Sequence, residues 1–81
     1  MKLKVLKPIF AETASHLVNT ASRFEETILL KKEHWVVDAK SLLGVLALSL
    51  QPGQTLELDS KGDNSSDVIA AFLSLGLFEE A

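Results

Sequence analysis

The first residues of the chain alternate between lysine and apolar side chains. In KLKVLK, residues 2–7, Leu3 and Val5 fall on one face and the lysines fall on the other. This two-residue period is typical of a strand that is buried on one side only. Pro8 has no N–H to donate to a neighbouring strand, so the pattern predicts a strand over residues 2–7 that ends before it.

From Glu12 onwards the apolar residues follow the spacing of a helix. Four of them share one helical face: Ala14, Leu17, Val18 and Ala21. We expect this helix to end near Arg23, with Phe24 packing just beyond it. Glu12 lies in the predicted first turn, where a negative charge suits the positive end of the helix dipole.

The middle of the chain predicts a hairpin followed by a second helix. Residues 27–31 and 35–39 are rich in strand-forming side chains and meet at Glu33-His34. SLLGVLALSL then returns to helical spacing, and Ser41 stands where a serine N-cap belongs. The apolar face of this helix is predicted to contain Leu42, Val45, Leu46 and Leu48.

The last third of the chain predicts one more strand and one more helix. Pro52-Gly53 marks a turn, TLELDS at residues 55–60 a strand, and KGDN at residues 61–64 a second turn. The residues predicted to cap the final helix are Asn64, Ser65 or Ser66. Its predicted apolar face consists of Val68, Ile69, Phe72 and Leu75.

The predicted order of elements is therefore β-α-β-β-α-β-α. Four short strands and three helices with one apolar face each favour a two-layer α+β fold, in which the helices cover one face of a largely antiparallel sheet. With 81 residues, the chain is expected to form one domain over residues 1–81. Its 47% hydrophobic content is enough for the core that such a small domain needs.

The composition narrows the class of function. There is no cysteine, which excludes disulfides and thiolate metal sites and fits a reducing cytoplasm, where we expect the protein to reside. A net charge of −3 provides no basic surface for nucleic acid or anionic lipid. No apolar run is long enough to span a bilayer. We therefore expect a soluble monomer that binds neither nucleic acid nor membranes directly.

Residues that could bind metals or cofactors are few. His16 and His34 have no partners at metal-ligand spacing, and Asp59, Asp63 and Asp67 are too scattered for a calcium loop. The four glycines are widely spaced, unlike a phosphate-binding loop. We expect no metal and no cofactor.

The segment DAKSLLGVLALSLQPGQTLEL, residues 38–58, resembles the regulatory-serine segment of HPr, the histidine-containing phosphocarrier of the bacterial sugar phosphotransferase system. The run Lys-Ser-Leu-Leu-Gly-Val-Leu, followed by a glycine turn and a strand, carries the resemblance. It extends without gaps over almost the whole chain, with ASHLVNTASRF at the family's first helix and SSDVIAAFLSLG at its last. The resemblance implies the family's open-faced β-sandwich and a protein that is not an enzyme.

The loop that carries the family's phosphorylated histidine is altered in this chain. Family members have Gly-Leu-His-x-Arg-Pro-Ala, whereas PIFAETA places Phe10 at the histidine, Glu12 at the arginine and Thr13 at the proline, with Ile9 and Ala14 retaining the flanking pattern. A phenyl ring has no nitrogen to accept a phosphoryl group. A carboxylate at the arginine position would repel the phosphate. We therefore expect that this loop does not carry phosphohistidine.

Ser41 matches the serine that, in some relatives, an ATP-dependent HPr kinase phosphorylates, after which the phosphoserine form binds a transcriptional regulator. A phosphate at a helix N-cap would face free N–H groups and the positive dipole end, and Lys40 would offset part of its charge. Leu42, Leu43 and Val45 follow, and we expect at least Leu43 to be exposed in a docking patch. The resemblance thus implies regulatory phosphorylation of Ser41, with the kinase and the regulator as partners.

Two other functions remain open at the level of sequence. The protein could be a phosphocarrier that uses His16 or another group, although a residue inside the helix does not face the free N–H groups of the first turn. It could instead be a scaffold that binds a partner through the open sheet face or through Phe10 and Glu12. In that case Ser41 would be only a helix cap, worth about 1 kcal/mol to the fold.

Overall fold

The computed structural model describes residues 1–62 and 64–81. Within that part of the chain there are five strands and three helices. In chain order they are β1 Lys2–Val5, α1 Glu12–Ser22, β2 Thr27–Lys32, β3 Trp35–Asp38, α2 Leu42–Ala47, β4 Thr55–Lys61, α3 Ser65–Ser74 and β5 Phe78–Glu80. The strands form one sheet in the order β3-β2-β4-β1-β5, and all neighbouring strands are antiparallel. The predicted α+β class and antiparallel sheet are confirmed.

The predicted number of four strands is wrong, because the chain ends in a fifth. β5 pairs with the first strand, with Val5 opposite Phe78 and Leu3 opposite Glu80. A strand of three residues is too short to show a two-residue period, and its partner lies at the other end of the chain. The strand predicted over residues 2–7 ends earlier, at Val5, where its pairing with β4 ends. There the Val5 N–H donates to the Gln54 carbonyl, and the Val5 carbonyl accepts from the Gly53 N–H.

The core lies between the sheet and the helices. The strands bury alternate residues, as in β1, where Leu3 and Val5 are buried and the lysines are exposed. Helix α1 buries the predicted Ala14, Leu17 and Ala21 against this face. None of the helices in the described residues is long and apolar enough to cross a membrane.

The predicted hairpin at Glu33-His34 is confirmed as a two-residue loop between β2 and β3. Lys32 pairs with Trp35 directly before and after the loop. Glu33 has a φ of 56°, the left-handed conformation that such loops favour at their first position. The residues that usually signal this conformation are glycine, asparagine and aspartate, so the chain forms the loop without the common sequence signature.

The starts of α2 and α3 agree with the prediction in position, but only α2 has the predicted side-chain cap. Ser41 caps α2, as its Oγ accepts a hydrogen bond from the Gly44 N–H at 3.1 Å. Asn64 occupies the N-cap position of α3, and its backbone N–H donates to Glu26 Oε2 at 3.2 Å. The turn predicted at residues 61–64 includes Asp63, which lies outside the described residues.

Candidate functional site

The loop before α1 exposes one aromatic ring to solvent. Ile9 is buried, and its N–H donates to the Leu50 carbonyl at 3.0 Å, which fixes the loop to the segment after α2. The next residue, Phe10, is 71% exposed. An aromatic ring with this exposure beside an anchored neighbour is available to contact a partner.

Ala11 adopts a backbone conformation that normally belongs to glycine. Its φ and ψ are 52° and −110°, close to the first central position of a type II′ turn. The Thr13 N–H donates to the Phe10 carbonyl at 3.3 Å and closes the turn. Since the residue is alanine, the sequence carries no signal for this conformation, and the turn was missed.

Polar groups of the loop are bonded to one another. Thr13 Oγ1 accepts the Phe10 N–H at 2.9 Å and donates to the Pro8 carbonyl at 2.7 Å. Glu12 is exposed, with its Oε1 3.4 Å from His16 Nε2 one turn further along the helix. The loop therefore presents a phenyl ring and a carboxylate to solvent, while the amide of Phe10 is already satisfied.

The second group of predicted site residues surrounds the start of α2. Ser41 is partly exposed, and its N–H donates to the Asp38 carbonyl at 3.0 Å. The Lys40 N–H donates to the Asp38 carboxylate at 2.8 Å, and the Lys40 side chain is half-buried. These bonds and the Ser41 cap hold the serine in a defined turn directly before the helix.

The predicted apolar patch beside Ser41 is only partly formed. Leu43 is 82% exposed, as expected, and Leu42 is 41% exposed. Val45 is fully buried in the core, so the prediction that it contacts a partner is wrong. The reason is helical geometry, because residue 45 lies on the face that turns towards the sheet while residues 42 and 43 lie away from it. Leu46 is partly buried and packs on the core, as expected for its predicted position.

The two groups of predicted site residues lie at opposite ends of α2. The Phe10 loop is bonded to Leu50, just after this helix, whereas Ser41 lies immediately before it. Six residues at 1.5 Å each make the helix about 9 Å long. A partner that covers both ends of α2 could contact both groups.

Two features near α2 were not predicted from the sequence. Lys32 Nζ donates to the carbonyl of Leu48, the C-cap of α2, at 2.8 Å. Trp35 and Val36 of β3 are 57% and 55% exposed, although both lie in a strand. The lysine was missed because its partner is 16 residues away, and the strand residues because sequence does not reveal which strand lies at an edge.

The open face of the sheet carries a small charge network. Asp59 Oδ2 lies 3.1 Å from both Lys31 Nζ and Lys61 Nζ. Hydrogen bonds from Lys31 and Lys61 lower the pKa of the Asp59 carboxyl, and this effect exceeds the opposing one of partial burial. Among the described residues, no group of three or more histidine, aspartate or glutamate side chains could hold a metal ion.

Comparisons with known proteins agree with this architecture. A family model described as PTS HPr component phosphorylation site matches residues 7–76. The phosphocarrier protein HPr of Treponema pallidum is 35% identical over 74 residues, which cover 89% of this chain and 84% of that protein. The HPr-like protein Crh of Halalkalibacterium halodurans is 27% identical over 74 residues, covering 91% of this chain and 88% of its relative.

The fold is shared with a solved structure as well. The crystal structure of HPr-C-His from Thermoanaerobacter tengcongensis matches with a TM-score of 0.85 and 28% identity, over 93% of this chain and 86% of that one. The matched residues include both the loop before α1 and the start of α2. From the family match, the identity to known relatives and the shared fold, the chain belongs to the HPr family of the phosphotransferase system.

Proposed function

We propose that this protein is a regulatory binding member of the HPr family that does not carry phosphohistidine and that is switched by phosphorylation of Ser41. The observation that carries the proposal is the contrast between the two ends of α2. At one end a partly exposed serine stands beside two exposed leucines. At the other end are a phenyl ring and a carboxylate, at the two positions where phosphoryl transfer would need a nucleophile and a cation.

The chemistry at Ser41 is that of an alcohol attacking ATP. Ser41 Oγ would form a bond to the γ-phosphorus while the bond from that phosphorus to the bridging oxygen breaks, ADP leaves, and the hydroxyl proton passes to a base of the kinase. The phosphate oxygens would then take over the Gly44 N–H, which now donates to Ser41 Oγ at 3.1 Å. The cap is thereby replaced and not lost.

The charges around Ser41 indicate what would recognise the modified form. The Asp38 carboxylate lies in the same turn, where it accepts the Lys40 N–H. Phosphorylation would therefore place a second anionic group next to Leu42 and Leu43. A partner that binds the phosphorylated form would need cationic side chains, arginine above all, beside an apolar contact for the leucines.

Phosphoryl transfer through His16 has less support than modification of Ser41. His16 Nε2 lies 3.4 Å from the Glu12 carboxylate, which would repel a phosphoryl group on that ring. Both side chains are exposed, so water would compete for every contact that a phosphohistidine could make.

A second candidate function is binding without modification, and the 71% exposure of Phe10 favours it. A rigid aromatic ring beside an exposed carboxylate is a suitable anchor for an apolar pocket with a basic rim. In this case Ser41 acts only as the cap of α2.

Intact-mass measurement separates these functions. The protein is incubated with ATP and an HPr kinase, and separately with phosphoenolpyruvate and the first enzyme of the phosphotransferase relay. Regulation predicts one phosphoryl group in the first arm, which Ser41→Asn abolishes, since asparagine retains the cap without the hydroxyl. A phosphoadduct in the second arm would support the carrier function, and no adduct in either arm would support binding alone.

A further inference from the structure

The outer edge of β3 is unpaired and exposes large apolar side chains, which natural edge strands usually avoid. β3 is the last strand on its side of the sheet, so one side of its backbone has no neighbouring strand among residues 1–62 and 64–81. Its residues Trp35, Val36 and Val37 are apolar, and the first two are more than half exposed. Natural edge strands are often protected by lysine, proline or a bulge, and β3 has none of these; its protection is limited to its short length and to the single charge of Asp38.

The opposite edge of the same sheet differs in this respect. β5 contains Glu79 and Glu80, both exposed, which would repel each other if two copies of this edge met. The sheet thus has one edge protected by like charges and one edge that is not.

The hydrogen bonds show which groups of β3 point outwards. The Ala39 N–H donates to the Ile28 carbonyl of β2 at 2.9 Å, so the backbone N–H and C=O of residue 39 point towards β2. In an antiparallel strand every second residue bonds to the same neighbour. The backbone N–H and C=O groups of residues 37 and 35 therefore also point towards β2, whereas those of Val36 point to the free edge.

We propose that two copies of the protein pair through β3, antiparallel and across a two-fold axis at Val36, to form one continuous sheet. On this axis the two Val36 residues exchange a pair of backbone hydrogen bonds. Trp35 of each copy then lies opposite Val37 of the other, on the helix side of the sheet. A two-fold interface uses the same surface twice, so one strand must be complementary to itself.

The polar side chains at the end of β3 and in the loop before it meet this requirement. The same axis places Asp38 of each copy opposite His34 of the other. Asp38 is exposed, and His34 is exposed and stacked on Trp35, with ring centroids 6.1 Å apart. An imidazole N–H can donate a hydrogen bond to a carboxylate directly opposite, and the symmetry forms this pair twice. This complementarity identifies a second copy of the chain as the occupant of the edge.

Sedimentation equilibrium over a range of concentrations tests the pairing. One short strand buries less than the roughly 1,200 Å² of a standard interface, so we expect weak dimers with a dissociation constant on the order of 0.1–1 mM. Val36→Lys places a charge at the axis and should weaken dimerisation by at least about tenfold. Leu6→Lys is the matched control, since it replaces an exposed apolar residue that follows β1, away from β3, and should leave the dimer unchanged.

Two substitutions at His34 test the register, because this residue lies in an exposed loop where neither should unfold the protein. His34→Lys places a permanent cation opposite Asp38 and should tighten the dimer, while His34→Glu should weaken it. A protein that stays monomeric at about 2 mM would overturn the proposal, given the affinity expected for an interface of this size. So would a dimer that Val36→Lys does not affect, which would indicate another interface or exchange of another strand.

Discussion

The ammonium group of Lys32 donates to the carbonyl of Leu48 at 2.8 Å. A side chain of β2 thus provides a hydrogen bond to the C-cap of α2, the helix whose N-cap is Ser41. Helix α2 has six residues, too few to be stable on its own. Its two ends are therefore held by side chains, a serine at the start and a lysine from the sheet at the end.

Replacement of Lys32 by methionine should destabilise the protein by about 1–2 kcal/mol, because a charge-assisted hydrogen bond and a favourable charge at the helix end are both lost. Urea unfolding measures this change. Lys2→Met, at an exposed lysine of β1, serves as control and should have little effect. Equal losses in the two variants would show that the bond to Leu48 contributes nothing specific.

The cap at Ser41 makes a prediction that does not depend on phosphorylation. Ser41→Ala should lower the free energy of unfolding by about 1 kcal/mol, and Ser41→Asn should restore most of it. Amide hydrogen exchange at Gly44 should accelerate in the alanine variant only. If both variants behave like the wild type, the bond from the Gly44 N–H does not stabilise α2.

Ala11 is held in the conformation of a type II′ turn, with a φ of 52° and a ψ of −110°. Glycine adopts this conformation without steric cost, so Ala11→Gly should stabilise the protein by about 1 kcal/mol despite the added flexibility of the unfolded chain. The matched control is Ala70→Gly in the interior of α3, where the same change should destabilise by about 1 kcal/mol. Destabilisation at both positions would contradict the assignment of strain to Ala11.

The Asp59 network predicts a defined pH dependence. Lys31 and Lys61 hold the pKa of the Asp59 carboxyl below its ordinary value, so the stabilisation is complete above the unfolded-state pKa of about 4. It is lost as the pH falls through the lower pKa of the folded state. Between about pH 5 and pH 2, stability should therefore fall more steeply in the wild type than in Asp59→Asn. Glu80→Gln is the control, and an Asp59→Asn curve as steep as that of the wild type would contradict the network.

The sequence predicted the elements whose signal is local. The helical spacing of Ala14, Leu17 and Ala21 predicted α1, and the alternation of Leu3 and Val5 predicted β1, because each pattern reflects one buried face of one element. β5 could not be predicted in this way. Its three residues are ordered by pairing with β1, a contact between the two ends of the chain.

In the candidate site, too, features set by local sequence were predicted and features set by distant contacts were not. Ser41 as a cap and Leu43 as an exposed residue follow from helix geometry and were predicted. The burial of Val45 depends on how α2 turns against the sheet, and the bond from Lys32 to Leu48 depends on which strand passes the end of the helix. Neither relationship is encoded in neighbouring residues. The turn at Ala11 was missed for another reason, since alanine gives no indication of a positive φ.

Intact mass after the two phosphorylation reactions tests the central claim most directly. We expect one added phosphoryl group after incubation with ATP and an HPr kinase, no addition in Ser41→Asn, and no acid-labile adduct after incubation with phosphoenolpyruvate and the first relay enzyme. An adduct from phosphoenolpyruvate, or an ATP-dependent adduct that persists in Ser41→Asn, would contradict a regulatory protein switched at Ser41.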